Sequence, residues 1–205
     1  MRATVLFVCH ANICRSPMAE RLTRHALADA GPDGASEHRI TVASAGTHAR
    51  GGEAMHPGAA ATLRELGVDA EGFASRALTA DLVAGAQLVL TATREQRAAC
   101  VTLCPTALRR IFTIRQFGRL AEAAAACSRP VAGRGISEPD PNGLNRLLEA
   151  MARVRGELQP VEPEEDDLAD PVNGTADDMR ACARTIARSL RPALALIAGT
   201  SSSLR

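Results

Sequence analysis

Thr4-Val5-Leu6-Phe7-Val8-Cys9-His10-Ala11-Asn12-Ile13-Cys14-Arg15-Ser16-Pro17 is the stretch whose reading decides the fold. Thr4 to Val8 is apolar and β-branched, as a buried strand should be. Pro17 fits the first turn of a helix, where its missing N–H costs nothing. Met18, Leu22 and Ala26 then recur at four-residue spacing and give that helix an apolar face. Further strands are expected near 40–44, 87–91 and 110–113, and further helices near 56–66, 79–84, 94–103 and 174–198. Strands alternating with helices predict an α/β fold, a parallel sheet with helices on both faces. The first loop then lies at a strand's carboxyl end, where ligands bind in open α/β sheets.

That loop has the chemistry of an anion cradle. Successive backbone N–H groups and the positive end of the following helix favour phosphate and, by the same field, a thiolate at Cys9. Arg15 can return to the cradle and hold two phosphoryl oxygens with its planar fork. Cys-x5-Arg-Ser behind a strand therefore reads as a site in which Cys9 attacks phosphorus and forms a cysteinyl-phosphate. A buried structural cysteine beside a surface arginine is the bland alternative, and the strand before and helix after the loop weigh against it.

At these residues the chain resembles a family. Phe7-Val8-Cys9 with Asn12-Ile13-Cys14-Arg15-Ser16-Pro17-Met18-Ala19-Glu20 is similar to the signature of the low-molecular-weight protein-tyrosine phosphatases. Ser44-Ala45-Gly46-Thr47 resembles that family's second signature. Met55-His56-Pro57, Leu66-Gly67-Val68, Ser75-Arg76-Ala77-Leu78, Leu88-Val89-Leu90-Thr91 and Ala169-Asp170-Pro171 continue the pattern, which covers the chain except roughly 119–165. The resemblance implies a flavodoxin-like core of four parallel strands in the order 2-1-3-4. It implies Cys9 as nucleophile, Arg15 as phosphate clamp and Asp170 as general acid. His10, Ala11, Asn12, Ile13, Cys14 and Ser16 would surround the phosphate, with Asn12, Ser16 and Ser44 holding the loop. Phosphotyrosine proteins would be the substrates, a bacterial tyrosine kinase among them, with neither metal nor cofactor.

Asp140-Pro141 rivals Asp170-Pro171 for the acid. Asp170 is preferred because an amphipathic helix with Met179, Ala183, Ile186 and Leu190 follows it. Glu162, Glu164, Glu165, Asp166 and Asp167, just upstream, read as a solvated acidic linker. Departures from the family are His10-Ala11 in the loop and Phe73 near a position where many members carry a loop-supporting histidine. With no Tyr or Trp in the chain, no large aromatic wall is available to stack on a phenyl ring. His10 itself reads as a solvent-facing loop histidine at the pocket mouth.

The six cysteines (9, 14, 100, 104, 127 and 182) lack the spacing of a disulfide framework. No signal peptide is visible and no run approaches the ~18 apolar residues of a membrane span, so a cytoplasmic protein with reduced thiols is expected. Cys14 shares a loop with Cys9, and a reversible Cys9–Cys14 disulfide would shield the nucleophile from over-oxidation. Cys100 and Cys104 are expected on one face of a helix, as core residues. Their second reading is a thiol relay, as in the thioredoxin-coupled arsenate reductases, which resemble this loop. Phosphoarginine hydrolysis is a further relative, opposed by Ile13. A non-catalytic phospho-ligand binder or thiol redox sensor is the alternative from another class.

All 24 basic residues are arginine, set against 23 acidic residues for a net charge of +1. That balance gives no reason to expect nucleic acid or an anionic membrane as partner. The whole chain, 1–205, is expected to form a single domain with an insertion at about 119–167 before the acid loop.

Overall fold

A computed structural model describes residues 3–29, 40–127 and 143–198. Four strands form one parallel sheet: β1 (Ala3–Cys9), β2 (Ile40–Gly46), β3 (Leu88–Thr91) and β4 (Ile111–Thr113), in the order β2-β1-β3-β4. Cys9 pairs with Gly46 and Phe7 with both Ser44 and Leu90, so β1 is central and its end opens onto β2. Seven α-helices are described around the sheet: α1 (Arg15–Asp29), α2 (Pro57–Glu65), α3 (Ala80–Gly85), α4 (Arg94–Leu103), α5 (Ile114–Cys127), α6 (Gly143–Val154) and α7 (Ala176–Ala198).

The period of a strand divides the core in two. Val5, Phe7 and Cys9 point to one face, where they join Met18 and Leu27 of α1, Phe117 and Leu120 of α5, Leu147 and Met151 of α6, and Ile186 of α7. Leu6 and Val8 point the other way, onto Val83 of α3, Cys100 of α4 and Ala107. Helix starts are fixed by local chemistry. Thr93 and Gln96 close a capping box on α4. Pro57 occupies the first turn of α2, whose cap His56 accepts from the Gly58 N–H through Nδ1. At the crossing of α5 and α7, a Cβ on Gly118 would stand 2.9 Å from Ser189 Cα, so only glycine lets the backbones meet. Among the described residues no helix is long and apolar enough to cross a membrane.

In the region after 119, Leu120, Ala121 and Ala124 of α5 belong to the main core, as do Leu144, Leu147, Met151 and Val154 of α6. Cys100 and Cys104 pack on the same apolar cluster, as expected, Cys100 fully buried and Cys104 partly so as the C-cap of α4, which Pro105 ends. The candidate acid Asp140 lies outside the described residues.

Candidate active site

β1 ends at Cys9 and α1 begins at Arg15, leaving five residues to turn the chain around an anion-sized space. The turn passes through Asn12 at φ 55, the single described non-glycine residue with positive φ. Asparagine tolerates this left-handed conformation better than most residues. Its side chain, fully buried, then serves as the peg of the loop. Nδ2 donates to Ser16 Oγ and to Ser44 Oγ, each at 2.9 Å, while Oδ1 accepts from the Arg76 N–H at 2.9 Å. Gly46 lets β2 pass beneath the loop: a Cβ there would lie 2.6 Å from His10 O and 2.8 Å from Asn12 N.

Following the protons gives the network a direction. Ser44 Oγ donates to Glu20 Oε2 at 2.6 Å and accepts from Asn12. Both Asn12 hydrogens are thereby used, one on each serine. Ser16 Oγ accepts from Asn12, so its own hydrogen is left to point at Cys9 Sγ, 2.9 Å away, or at the more distant Ala45 O at 3.4 Å. The buried Glu20 carboxylate, itself paired with Arg24 at 2.8 Å, thus acts through Ser44, Asn12 and Ser16 to orient a donor toward the sulfur. Arg76 braces the same network, its Nε donating to Ser44 O at 2.6 Å.

Neither Glu20 nor Arg76 is assigned a role from sequence. The signal available was a glutamate on the packed face of α1, one turn beyond Ser16, where an unpaired carboxylate would be costly. Together with Asn12, these two side chains brace the loop in a chain that carries Phe73, half-buried against the core, near the position of the family's supporting histidine.

The loop bearing Asp170 reaches the cradle from 155 residues beyond Arg15. Leu168 N donates to Ala92 O at 2.8 Å, which pins the loop to the end of β3. Arg15 then spans both partners: Nη1 donates to Leu168 O at 3.1 Å and Nη2 meets Asp170 Oδ2 at 2.5 Å. Arg15 is buried whereas Asp170 is 43% exposed, so the carboxylate sits at the mouth with access to solvent. The upstream carboxylates are not a uniformly solvated linker. Asp166 is paired with Arg119 at 2.5 Å, and Asp167 Oδ1 accepts from the Arg94 N–H at 2.7 Å.

His10 and His48 stack at 4.3 Å between centroids, both exposed at the mouth, with His48 N donating to His10 O at 2.8 Å. Ala11 and Ile13 are partly buried, and Ile13 O accepts from His56 N at 2.7 Å. Cys14 turns inward. Its Sγ lies 3.3 Å from Met179 Sδ, and burial, then the neighbouring Cys182, pushes its thiol well above the usual range. Burial likewise pushes Cys182 up to about 12. All six cysteines are free thiols. Cys100 is fully buried among the side chains on the opposite face of the sheet from Cys9 and Cys14. Among the described residues, no three His, Cys, Asp or Glu side chains converge as metal ligands would.

Known proteins share this arrangement to different extents. A family model described as low molecular weight phosphotyrosine protein phosphatase matches residues 4–136. The chain is 38% identical over 90 residues to a probable low molecular weight protein-tyrosine-phosphatase, EpsP, of Ralstonia solanacearum; the match covers 44% of this chain and 55% of that protein. It thus spans about half the length of that relative. An arsenate reductase of Brevibacillus brevis is 30% identical over 110 residues, covering 54% of this chain and 72% of its own. The crystal structure of the Erwinia amylovora tyrosine phosphatase AmsI superposes with a TM-score of 0.62 at 19% identity, covering 94% of this chain and 91% of that one, a likeness of fold. With the four-stranded 2-1-3-4 sheet, the loop that ends it and a family model matched over well more than half its length, this chain belongs to the low molecular weight phosphotyrosine protein phosphatase family.

Proposed function

We propose that the chain hydrolyses phosphotyrosine and other aryl phosphomonoesters through a cysteinyl-phosphate. The observation that carries this reading is Arg15, whose one guanidinium joins the cradle to the loop bearing Asp170. A phosphate dianion entering the loop engages the backbone N–H groups and the Arg15 fork, and in doing so takes over the guanidinium that otherwise holds Asp170. The Cys9 thiolate, solvated by the Ser16 hydroxyl, attacks phosphorus in line with the ester oxygen. The P–O bond breaks, and Asp170 supplies the proton that lets the phenol leave. Asp170 then takes a proton from water, which attacks the cysteinyl-phosphate, releases inorganic phosphate and returns the thiolate. A positioned acid of this kind contributes ~10²–10⁴-fold, more for a poor leaving group.

The substrates implied are phosphotyrosine-containing proteins, a bacterial tyrosine kinase among them, in the cytoplasm. The described residues act as one domain, since both ends of the chain supply the site.

The arsenate reductase relative favours a second reading, in which Cys9 attacks arsenate and a further thiol closes a disulfide as arsenite leaves. Cys100 and Cys104 are poorly sited to be that thiol; Cys14 and Cys182 lie nearer the loop.

The deciding experiment compares phenyl phosphate with p-nitrophenyl phosphate for wild type, Cys9→Ser and Asp170→Asn, in reductant with chelator. Wild type should turn over both and Cys9→Ser neither. Asp170→Asn should be slowed far more on phenyl phosphate, whose leaving group needs the proton. An inert wild type that reduces arsenate with a thioredoxin-type dithiol would replace the first reading by the second.

A further inference from the structure

Behind the acid loop, arginines outnumber the carboxylates they face. Asp166 is already paired with Arg119 at 2.5 Å. Two more guanidiniums share its field. Arg97, half-buried, donates through Nε to Ile111 O at 3.0 Å and has no carboxylate of its own among the described residues. Arg155 lies 5.9 Å over the Phe112 ring and likewise makes no described ion pair. Two of these guanidiniums, Arg119 and Arg155, line one pocket together with the Asp166 carboxylate. Arg97 registers the imbalance: burial first, and then the charge of Arg155, lower its proton affinity, with only Asp166 opposing.

Beside Asp166 the structure has an open pocket of about 280 Å³, lined by Arg119, Arg155 and Asp166 together with Leu120, Leu158 and Val161. None of its lining residues belongs to the Cys9 loop.

We propose that this cavity is a second anion site, taking a carboxylate or phosphate group on a short apolar body. The guanidinium forks of Arg155 and Arg119 would hold the anion, and Leu120 and Leu158 would cover the apolar part. An added negative charge offsets the surplus that Asp166 alone leaves and brings Arg97 and Arg155 a counter-charge. A free small acid and an acidic residue flanking the phosphotyrosine of a protein substrate both carry this chemistry.

Calorimetric titration of the full chain with phenylacetate tests the site, in wild type, Arg155→Gln and Arg155→Glu. Arg155 is exposed, so both variants should fold and should keep wild-type hydrolysis of phenyl phosphate. Saturable binding is expected, weaker by at least about tenfold in Arg155→Glu, as loss of a charge-assisted hydrogen bond implies, and weaker in added salt. In parallel, KM is measured for a phosphotyrosine peptide with and without flanking glutamates. If the glutamates lower KM in wild type and lose that effect in Arg155→Glu, the anion comes from the substrate. If phenylacetate binds through Arg155 while the glutamates make no difference, it is a free small acid. Equal phenylacetate binding by wild type and Arg155→Glu, or absence of both binding and glutamate effect, overturns the proposal. Binding is read without turnover, so this outcome stays separate from the fate of the phosphatase reading.

Discussion

Replacing Asn12 separates two things the loop needs, hydrogen bonds and a left-handed residue. Asn12→Ala removes three hydrogen bonds of 2.9 Å, two buried ones to Ser16 and Ser44 and a part-buried one from the Arg76 N–H. At a net ~0.5–1.5 kcal/mol each, their loss costs roughly 1.5–4.5 kcal/mol. Alanine at φ 55 adds about 1 kcal/mol. The expected destabilisation is therefore about 2.5–5.5 kcal/mol, a fall in Tm of roughly 5–22 °C for a domain of this size. Asn12→Gly loses the same bonds without the conformational penalty and should be the more stable of the two by about 1 kcal/mol. Urea titrations of wild type and both variants measure this directly, and a constant m-value keeps the comparison valid. Both variants should also lose most hydrolysis, because Ser16 is no longer directed at Cys9. Equal stability of the alanine and glycine variants would refute the strain argument. A loss below about 1 kcal/mol in both would refute the network as the loop's support.

Two glycines should behave in opposite ways. Gly46→Ala sets a Cβ against the backbone of His10 and Asn12, so the cradle must move and kcat should collapse; activity within about twofold of wild type would contradict the geometry. Gly118→Ala instead wedges α5 from α7, costing about 1–3 kcal/mol in urea while leaving KM unchanged. Alkaline pH should destabilise the fold. Cys100 and Cys182 are pushed from 9.0 up to about 12 by burial, so between those values the unfolded chain releases protons that the folded one retains. Stability is intact below pH 9 and then falls by up to about 1.4 kcal/mol per pH unit for each thiol. Cys182→Ala should flatten that decline, and an unchanged slope would show that its burial is not what the structure describes.

The sheet was legible because each strand announces itself locally: Thr4 to Val8 and Leu88 to Thr91 are short apolar runs with turn residues beyond them. The start of α5 was not. Ile111-Phe112-Thr113 passes into Ile114 without glycine or proline between them, and β-branched residues at the junction fit strand and helix alike. At the site, the loop could be read from Cys9 to Ser16 because those contacts are local. Its bracing by Asn12 and Ser44 was legible through the family resemblance, but not that by Arg76, which reaches Asn12 across 64 residues, nor the pairing of Asp166 with Arg119 across 47. In a chain whose cations are all arginine, nothing in composition distinguishes Arg76 or Arg119 from the other twenty-two. The helix of Cys100 was legible to its last residue, Leu103, because Pro105 marks its end and leaves Cys104 as the cap.

The span of 155 residues between Arg15 and Asp170 has a consequence for biosynthesis. A ribosome delivers the Cys9 loop well before Asp170, which follows Arg15 by 155 residues. On the roles proposed above, the emerging polypeptide until then carries a nucleophile with no partner to protonate a leaving group. The same late segment brings α7 onto α1 and α5, covering one face of the sheet. Completion of the core and onset of turnover are therefore one event on the roles proposed above. A half-made copy has an incipient cradle but no acid to complete the reaction.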